Sequence, residues 1–293
     1  MAKPNALIIT AAGINCDLEL AHAFEAAGAS AERVHINSLI ADPRLVERYQ
    51  LIGLPGGFSF GDAVAAGRIM AQLIRRHLYG ALVHAVERGV PIIAPCNGFQ
   101  IAVQAGLLPG PMAGERWPRE PARQVVTLAP NASSRFVDRW AHVEIPAHTR
   151  CIWTHGLRAD ENMAMLPVAH GEGRFVAANH SMIAQLDAAG QIAVRYAAND
   201  NPNGSVADIA GICDASGLVF GLMPHPERFT RFTQHPFWTR LLGDVRTGAT
   251  LGLAMFQQAV AFVSDGAAAK RQTGRTSGSG GDARCSAPVR LSS

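Results

Sequence analysis

The stretch VPIIAPCNGFQIAVQ, residues 90–104, passes without a linker from a short apolar run into a helical pattern. The first part, residues 90–95, predicts a strand, and the second predicts a helix from about residue 97 to residue 104 that Gly106 ends. A strand that leads directly into a helix is the repeating unit of an α/β fold.

Short β-rich runs alternate with helical stretches on both sides of this segment. Strands are predicted at residues 6–10, 33–36 and 50–54, and a long helical region covers residues 63–88. After Pro109 the segments become more β-like, and the final helix is predicted at residues 250–263. Strand and helix in alternation imply right-handed crossovers, so we expect an α/β fold whose parallel sheet carries helices on both faces.

Composition limits the classes of protein that this chain can belong to. Of its 293 residues, 48% are hydrophobic and 17% are charged, which excludes global disorder and permits a sizeable core. No apolar run approaches the roughly 20 residues of a membrane span, so no membrane association is expected. Five widely scattered cysteines without a CxxC pair indicate reduced thiols and a cytoplasmic location.

The positive charge of the chain is concentrated at its end. Residues 267–293 hold five basic side chains and one acidic one, so the net charge of +3 for the whole chain becomes about −1 for residues 1–266. A nearly neutral body offers no groove for nucleic acid. We therefore predict one domain over residues 1–266, followed by a flexible, basic, Gly/Ser-rich tail over residues 267–293.

Three glycines follow the predicted strand that ends at Leu54, in the segment PGGFSFGD, residues 55–62. Glycines at the end of a strand let the backbone bend and let a ligand approach the backbone amides closely. The same pattern also occurs in ordinary turns, so alone it does not establish a binding loop.

Cys96 lies at the end of the strand in the opening segment, directly before the helix. This is the position of a nucleophile elbow, in which a sharp turn exposes the sulfur and the helix N-terminus stabilises a thiolate. The small residues Ala94 and Gly98 permit such a turn. Most free cysteines are merely small core residues, but the position of Cys96 favours a nucleophile. Cys16, in contrast, has no adjacent base in the sequence and is interpreted as structural.

A base for this thiol is predicted in the segment GLMPHPER, residues 221–228. His225 follows a strand-like run, and the prolines on both sides of it restrict the local backbone. Glu227 is spaced to accept a hydrogen bond from the second ring nitrogen of His225. Cys96, His225 and Glu227 would then be nucleophile, base and orienting acid. The other histidines are dispersed and predict no metal site.

These segments, in this order, resemble the class I (triad) glutamine amidotransferases. Within that class, seven segments spread over residues 6–263 resemble the family of glutaminase subunits of phosphoribosylformylglycinamidine synthase: Asn15-Cys16-Asp17, GGFSFGD (56–62), CNGFQ (96–100), GLLPG (106–110), PVAHGEGRF (167–175), NPNGSVADIAGI (201–212) and GLMPHPER (221–228). The resemblance implies a flavodoxin-like open parallel sheet, with added β segments in the C-terminal half.

The resemblance also implies roles for individual residues. Cys96 would attack the side-chain amide of glutamine, His225 would carry a proton to the departing ammonia, and Glu227 would orient His225. The backbone amides of Gly56, Gly57, Phe58 and Asn97 would form the oxyanion hole. Gln100 would face the bound glutamine. His170 would line the substrate pocket or, as an alternative, organise its loop.

The family works with partners. The sequence has no GxxxxGK[ST] nucleotide-binding loop, so ATP and Mg²⁺ are expected in a separate synthetase subunit, and no cofactor is expected in this chain. The partner that the resemblance implies is that synthetase subunit, and it leaves open whether a small bridging subunit takes part. Two alternatives remain, a stand-alone γ-glutamyl amide hydrolase and a non-catalytic regulatory subunit.

One departure from the family pattern lies beside the nucleophile. Family members usually have Gly and then Val or Ile before the cysteine, whereas this chain has Ala94 and Pro95. Because proline lacks the backbone N–H and fixes φ, we expect a slight displacement of the strand end.

Overall fold

The structure is a computed structural model that describes residues 3–241, 243 and 248–276. Within these residues the strands are β1 (Asn5–Thr10), β2 (Ser30–His35), β3 (Leu51–Gly53), β4 (Ile92–Pro95), β5 (Val126–Ala129), β6 (Val137–Glu144), β7 (Met165–His170), β8 (Arg174–Ala177), β9 (Ile192–Tyr196), β10 (Ile209–Cys213) and β11 (Val219–Leu222). The α-helices are α1 (Asp17–Ala26), α2 (Ile36–Ala41), α3 (Arg68–Leu73), α4 (Tyr79–Glu87), α5 (Asn97–Ala105), α6 (His180–Ala188) and α7 (Leu251–Thr276).

Nine of these strands form one mixed sheet in the order β2-β1-β3-β4-β11-β10-β9-β6-β7. The first five strands of this order are mutually parallel. Their arrangement corresponds to the flavodoxin-like order 2-1-3-4-5, with β11 as the fifth strand. The predicted fold class is therefore confirmed.

The β segments of the C-terminal half extend the sheet. Strands β10, β9, β6 and β7 continue it beyond β11 in antiparallel pairs. Strands β5 and β8 pair separately as a small two-stranded sheet. The parallel half, in contrast, keeps the carboxyl ends of β3, β4 and β11 at one edge, where α/β proteins gather their chemistry.

Apolar side chains cover both faces of the sheet. In β1, Leu7 and Ile9 pack into one core cluster, and Ala6 and Ile8 pack into the other. This alternation follows from the two-residue period of a strand, and all four side chains are fully buried. Helix α5 packs on the first face, and α1 and α7 pack on the second.

Two helical regions differ from the sequence prediction. The region predicted as one helix over residues 63–88 begins only after Gly67, whose φ of 72° is left-handed, and a π-helical turn (Ile74–Leu78) separates α3 from α4. The side chain of Asp62 fixes the preceding turn by accepting from the Gly67 amide at 3.2 Å.

No helix in the described part of the chain combines the length and apolar character of a membrane span.

Helix α7 is longer than predicted. It ends at Thr276 instead of residue 263, and so includes the first ten residues of the predicted tail. Residues 267–272 are Ala, Lys, Arg and Gln, which have high helix propensity. The remainder of the predicted tail, residues 277–293, lies outside the described residues.

Candidate active site

Cys96 occupies a strained turn between β4 and α5. Its φ of 50° and ψ of −110° are unusual for a residue with a side chain. Such a conformation costs about 1–3 kcal/mol and persists only where the surroundings fix it. Here the Cys96 amide donates to the Leu222 carbonyl at 2.7 Å, and the Cys96 carbonyl accepts from the Phe99 amide at 2.9 Å. This is the geometry of a nucleophile elbow.

Small neighbours make the elbow possible. A Cβ on Gly98 would lie 1.9 Å from the Leu54 carbonyl oxygen, so the first turn of α5 can approach the end of β3 only without a side chain there. The Cys96 thiol lies beneath β7, with its Sγ 3.6 Å from the Ala169 carbonyl oxygen as a weak donor. The residue is 6% exposed.

Pro95 leaves the pairing of β4 with β11 intact. Residues of β4 point alternately toward its two neighbours: Ile92 and Cys96 donate to β11, at Leu218 and Leu222. The missing N–H of Pro95 faces the β3 side, next to the last β3–β4 bond, in which the Leu54 amide donates to the Ile93 carbonyl at 2.9 Å. A proline is tolerated there because it stands at the end of the β3–β4 ladder and leaves the bonds to β11 in place.

His225 and Glu227 follow the neighbouring strand β11. The pairing of Pro95 with Leu222 brings the ends of β4 and β11 together. His225 Nδ1 donates to Glu227 Oε1 at 2.6 Å, and both side chains are almost fully buried. Burial would lower the pKa of His225, but the Glu227 carboxylate and the Cys96 and Cys16 sulfurs outweigh it, and the pKa stands well above its ordinary value.

The glycine loop, residues 55–62, lies against the elbow. The three backbone amides of Gly56, Gly57 and Phe58 are not equivalent. The Phe58 amide already donates to the Gly13 carbonyl at 2.9 Å, so this arrangement leaves the amides of Gly56 and Gly57 as the loop's candidate oxyanion donors. The loop is fixed to α5, because the Ser59 amide donates to Asn97 Oδ1 at 3.2 Å. The Asn97 amide belongs to the first turn of α5, where N–H groups have no partner within the helix.

Gln100 joins the elbow helix to the loop after β7. Its Oε1 accepts from Asn97 Nδ2 at 2.8 Å, and its Nε2 donates to the Glu172 carbonyl at 2.7 Å. Both polar ends of the side chain are therefore used within the protein. In this structure Gln100 positions the loop at residues 171–173.

His170 is held by two asparagines. Asn131 Oδ1 accepts from the Gly173 amide and lies 3.2 Å from His170 Nδ1, so this nitrogen is the donor of the pair. Asn203 Nδ2 lies 3.5 Å from His170 Nε2. Burial, and then the charge of His225, lower the pKa of His170 to about 4. A neutral ring with both nitrogens engaged supports the loop-organising alternative.

Cys16 is a neighbour of the catalytic group that the sequence did not indicate. Its sulfur, one ring nitrogen of His225 and one carboxylate oxygen of Glu227 lie within 4.8 Å of one another. These are donor types that a metal ion could use. However, His225 Nδ1 is already bonded to Glu227, and Arg228 Nη2 donates to the Cys16 sulfur at 3.0 Å. A cation beside that guanidinium would be repelled, so the arrangement suits proton transfer better than metal binding.

Comparison with known proteins assigns this chain to a family. Residues 3–263 match the CobB/CobQ-like glutamine amidotransferase domain. The chain belongs to this amidotransferase family. Two relatives of the amidotransferase, both phosphoribosylformylglycinamidine synthase subunit PurQ, cover most of its length. The one from Dehalococcoides mccartyi is 41% identical over 244 residues, 81% of this chain and 90% of the relative. The one from Methanococcus maripaludis is 39% identical over 237 residues, 77% and 82% of the two chains.

Solved structures support the same assignment. The structure of PurLQS from Thermotoga maritima includes a chain that is 30% identical to the amidotransferase, with a TM-score of 0.64. The match covers 89% of this chain and 99% of that one. A second protein from Thermotoga maritima, a glutamine amidotransferase, shares the fold at 12% identity and a TM-score of 0.51, over 90% of this chain and 99% of that one.

Proposed function

We propose that the chain is the glutaminase subunit of phosphoribosylformylglycinamidine synthase. It hydrolyses glutamine and supplies the ammonia to a separate synthetase subunit, which makes formylglycinamidine ribonucleotide in purine biosynthesis. The observation that carries the proposal is Cys96 on its strained elbow beside the buried His225–Glu227 pair. The PurQ relatives, which cover most of the chain, support the assignment of the substrate and pathway.

The reaction begins with attack of the Cys96 sulfur on the side-chain carbonyl carbon of glutamine. A C–S bond forms, and the carbonyl oxygen becomes an oxyanion that the amides of Gly56, Gly57 and Asn97 are placed to stabilise. One such donor is typically worth about 3 kcal/mol in the barrier. Because the donors are backbone groups held by the sheet edge and by α5, they need no reorganisation as the charge develops.

His225 carries the proton through the two halves of the reaction. As the C–N bond of the tetrahedral intermediate breaks, the imidazolium gives its proton to the leaving nitrogen, and ammonia departs. The neutral ring then takes a proton from water, whose oxygen attacks the thioester carbonyl. Breaking of the C–S bond releases glutamate and restores the starting pair of Cys96 and His225, which together hold the one proton taken up from water. Glu227 orients the ring and stabilises its charged form throughout.

Ammonia released into solvent would be lost to the synthetase reaction. The synthetase therefore docks on this chain and receives the ammonia directly, and it also binds ATP and Mg²⁺. The PurLQS structure from Thermotoga maritima, in which a similar chain occurs, supports a complex with the synthetase subunit PurL and with PurS. We place this complex in the cytoplasm, where its nucleotide substrates are made.

The test compares glutamine with added ammonia as nitrogen source for the complex. Cys96→Ser should reduce glutamine-dependent synthesis by about 100-fold or more, because the nucleophile is lost, and should leave ammonia-dependent synthesis intact. Cys285→Ser, the same change in the predicted tail, is the matched control. Glutamine turnover by Cys96→Ser within tenfold of the parent would show that Cys96 is not the nucleophile. Glutamine hydrolysis without any transfer to the synthetase would indicate a stand-alone hydrolase.

A further inference from the structure

A cleft beside α3 and α4 concentrates positive charge, and none of the proposed catalytic residues lines it. Its lining contains four arginines, Arg68, Arg75, Arg76 and Arg119, and we call it the arginine cleft. Glu120 is the one carboxylate of its described lining, so the net charge of the cleft is +3. None of the four arginines has a carboxylate within salt-bridge distance among the described residues. Unpaired positive charge in a concave surface attracts anions.

Arg75 is fixed in the wall of the arginine cleft. Its Nη1 donates to the Gln104 carbonyl at 3.0 Å, and its Nη2 donates to the Pro121 carbonyl at 3.4 Å. These bonds join the π-helical turn to the end of α5 and to the segment that carries Arg119. Because a guanidinium has five N–H donors, Arg75 keeps donors for a further acceptor.

Tyr79 places a second donor at the same wall. The residue lines the arginine cleft and is 3% exposed, and its hydroxyl has no hydrogen-bond partner in the described part of the chain. A buried tyrosine hydroxyl usually has a partner. Burial raises the pKa of Tyr79, and the charge of Arg75 partly offsets this rise, so the hydroxyl keeps its proton beside a guanidinium. Both groups donate hydrogen bonds, and an anion with several oxygens can accept from both.

The backbone brings these donors together through the π-helical turn, Ile74–Leu78. The turn carries Arg75 and Arg76, and the Tyr79 amide that follows it donates to the Ile74 carbonyl, five residues back. Turns of this kind within helices frequently occur at functional sites. The cleft has a volume of about 980 Å³, which is within the range of small-molecule sites.

We propose that the arginine cleft binds the phosphate group of a small organic phosphate, either a sugar phosphate or a nucleotide. Arginine guanidinium groups match phosphate oxygens through pairs of parallel N–H donors, and the Tyr79 hydroxyl adds one further donor. Apolar lining residues, among them Val64, Ile69 and Leu73, offer a surface for the organic part. The site is separate from glutamine hydrolysis and does not depend on the proposed function.

The test is titration calorimetry of the full-length chain with ribose 5-phosphate and with adenosine 5′-monophosphate. We expect at least one of them to bind more tightly than sulfate does at the same ionic strength. Arg76→Gln and Arg119→Gln, two changes at exposed positions, should each weaken binding about tenfold. Tyr79→Phe, which removes only the hydroxyl, should weaken it about fivefold. Arg48→Gln, an exposed arginine outside the cleft, is the matched control and should bind like the parent.

The ratio of the two affinities identifies the organic part, and either order supports the site. Absence of binding by both organic phosphates would overturn the proposal. Equal affinities in the parent, Arg76→Gln and Arg119→Gln would also overturn it, because the binding would then lie elsewhere. Sulfate binding as tight as that of the organic phosphates would show a basic surface without specificity for phosphate, which contradicts the proposal.

Discussion

Gly56 is the residue on which the geometry of the site depends most directly. Its backbone carries no left-handed strain, so the requirement for glycine comes from space alone. A Cβ there would lie 2.9 Å from His225 Cε1 and 3.2 Å from the Cys16 sulfur, both too close, while its distance of 3.4 Å to Cys96 Cβ is an ordinary contact. The His225 ring is held by Glu227 and the Cys16 sulfur by Arg228, so neither can move aside as the end of a flexible side chain could.

Gly56→Ala should therefore lower glutamine hydrolysis by about 100-fold, because a shift of about 1 Å in catalytic groups has that effect. The matched control is Gly80→Ala in α4, where an added Cβ meets nothing within 4 Å. That change should keep full activity and stabilise the fold by about 0.5–1 kcal/mol. Steady-state glutaminase assays and thermal unfolding of both variants provide the measurements. Equal activity in the two variants would contradict the crowding described here.

His225 and Glu227 should behave as one unit. His225→Ala should reduce glutamine hydrolysis by about 100-fold or more, because both half-reactions need its proton transfer. Glu227→Gln should be impaired less, since it keeps the shape and loses the charge that stabilises the imidazolium. We expect the double variant to be hardly worse than His225→Ala alone.

Steady-state hydrolysis by the three variants, with the exposed Glu25→Gln as the matched control for charge loss, measures this coupling. Strictly additive losses would mean that Glu227 acts independently of His225.

Much of the residue-level arrangement was predictable because each reactive residue lies within a few residues of the end of a strand. Cys96 and His225 come from sequence positions where an α/β sheet must present side chains at its edge. Cys16 was not predictable in the same way. It meets His225 only because α1 packs near the turn that follows β11, and no local pattern in the sequence records that contact. The hydrogen bond from the Phe58 amide to the Gly13 carbonyl is likewise a contact between distant segments that no local pattern predicts.

At the scale of elements, the turn between β7 and β8 is held by a network of buried polar side chains. His170 and Asn203 are both buried, and Asn203 Nδ2 also donates to the Gly173 carbonyl at 2.9 Å. A Cβ on Gly173 would lie 2.4 Å from the His170 ring, so the turn closes directly onto the histidine. Such a network is stable only while the ring stays neutral.

The stability of the protein should therefore fall in acid partly through His170. Its pKa is about 4 in the folded chain against an ordinary value of 6.5, so between these values the unfolded state binds more protons. The contribution is present above pH 6.5 and is lost as the pH falls toward 4. The free energy of unfolding of the parent should fall between about pH 7.5 and pH 4.5. In His170→Gln this fall should be smaller by about 2–3 kcal/mol.

Urea unfolding of the parent and the variant at both pH values provides the measurement, with the exposed His77→Gln as the matched control. If His170→Gln loses as much stability in acid as the parent does, the buried neutral ring is not the cause.

The element order of the parallel half was predictable because each strand is followed by a helix. The antiparallel extension was predicted only as added β segments. Its strand order depends on pairings between distant residues, such as those of β6 with β9. The helix predicted over residues 63–88 begins late because Gly67 is left-handed, and Asp62 fixes the turn before it. The spacing of apolar residues gives no sign of either feature.

For the whole molecule, the body should be independent of the end of the chain. Helix α7 packs through Leu251, Met255, Phe256 and Ala259, which are buried, and residues after Val263 add no buried side chain among those described up to residue 266. Deleting residues 267–293 should shift the Tm by less than about 2 °C and leave glutamine hydrolysis unchanged.

Phe256→Ala is the contrasting variant, because its ring packs edge-on against Phe24 at 5.1 Å and its loss should cost about 3–5 kcal/mol. Calorimetry measures the Tm of the deletion variant and of Phe256→Ala, and copurification with the synthetase measures whether each still binds its partner. A large fall in Tm, or loss of the partner, on deletion would show that the end of the chain is an interaction element.

The position of β11 in the middle of the sheet has a consequence for synthesis on the ribosome. Strand β4 ends at Pro95, but its neighbour β11 begins only at Val219, so 123 residues are made between them. At about 5–20 residues per second, the nascent chain exposes one edge of β4 for roughly 6–25 s. An unpaired apolar edge of this kind is a template for aggregation and a substrate for chaperones. During the same interval His225 has not yet been made, so Cys96 has no base. The enzyme can become active only after β11 has been inserted into the sheet.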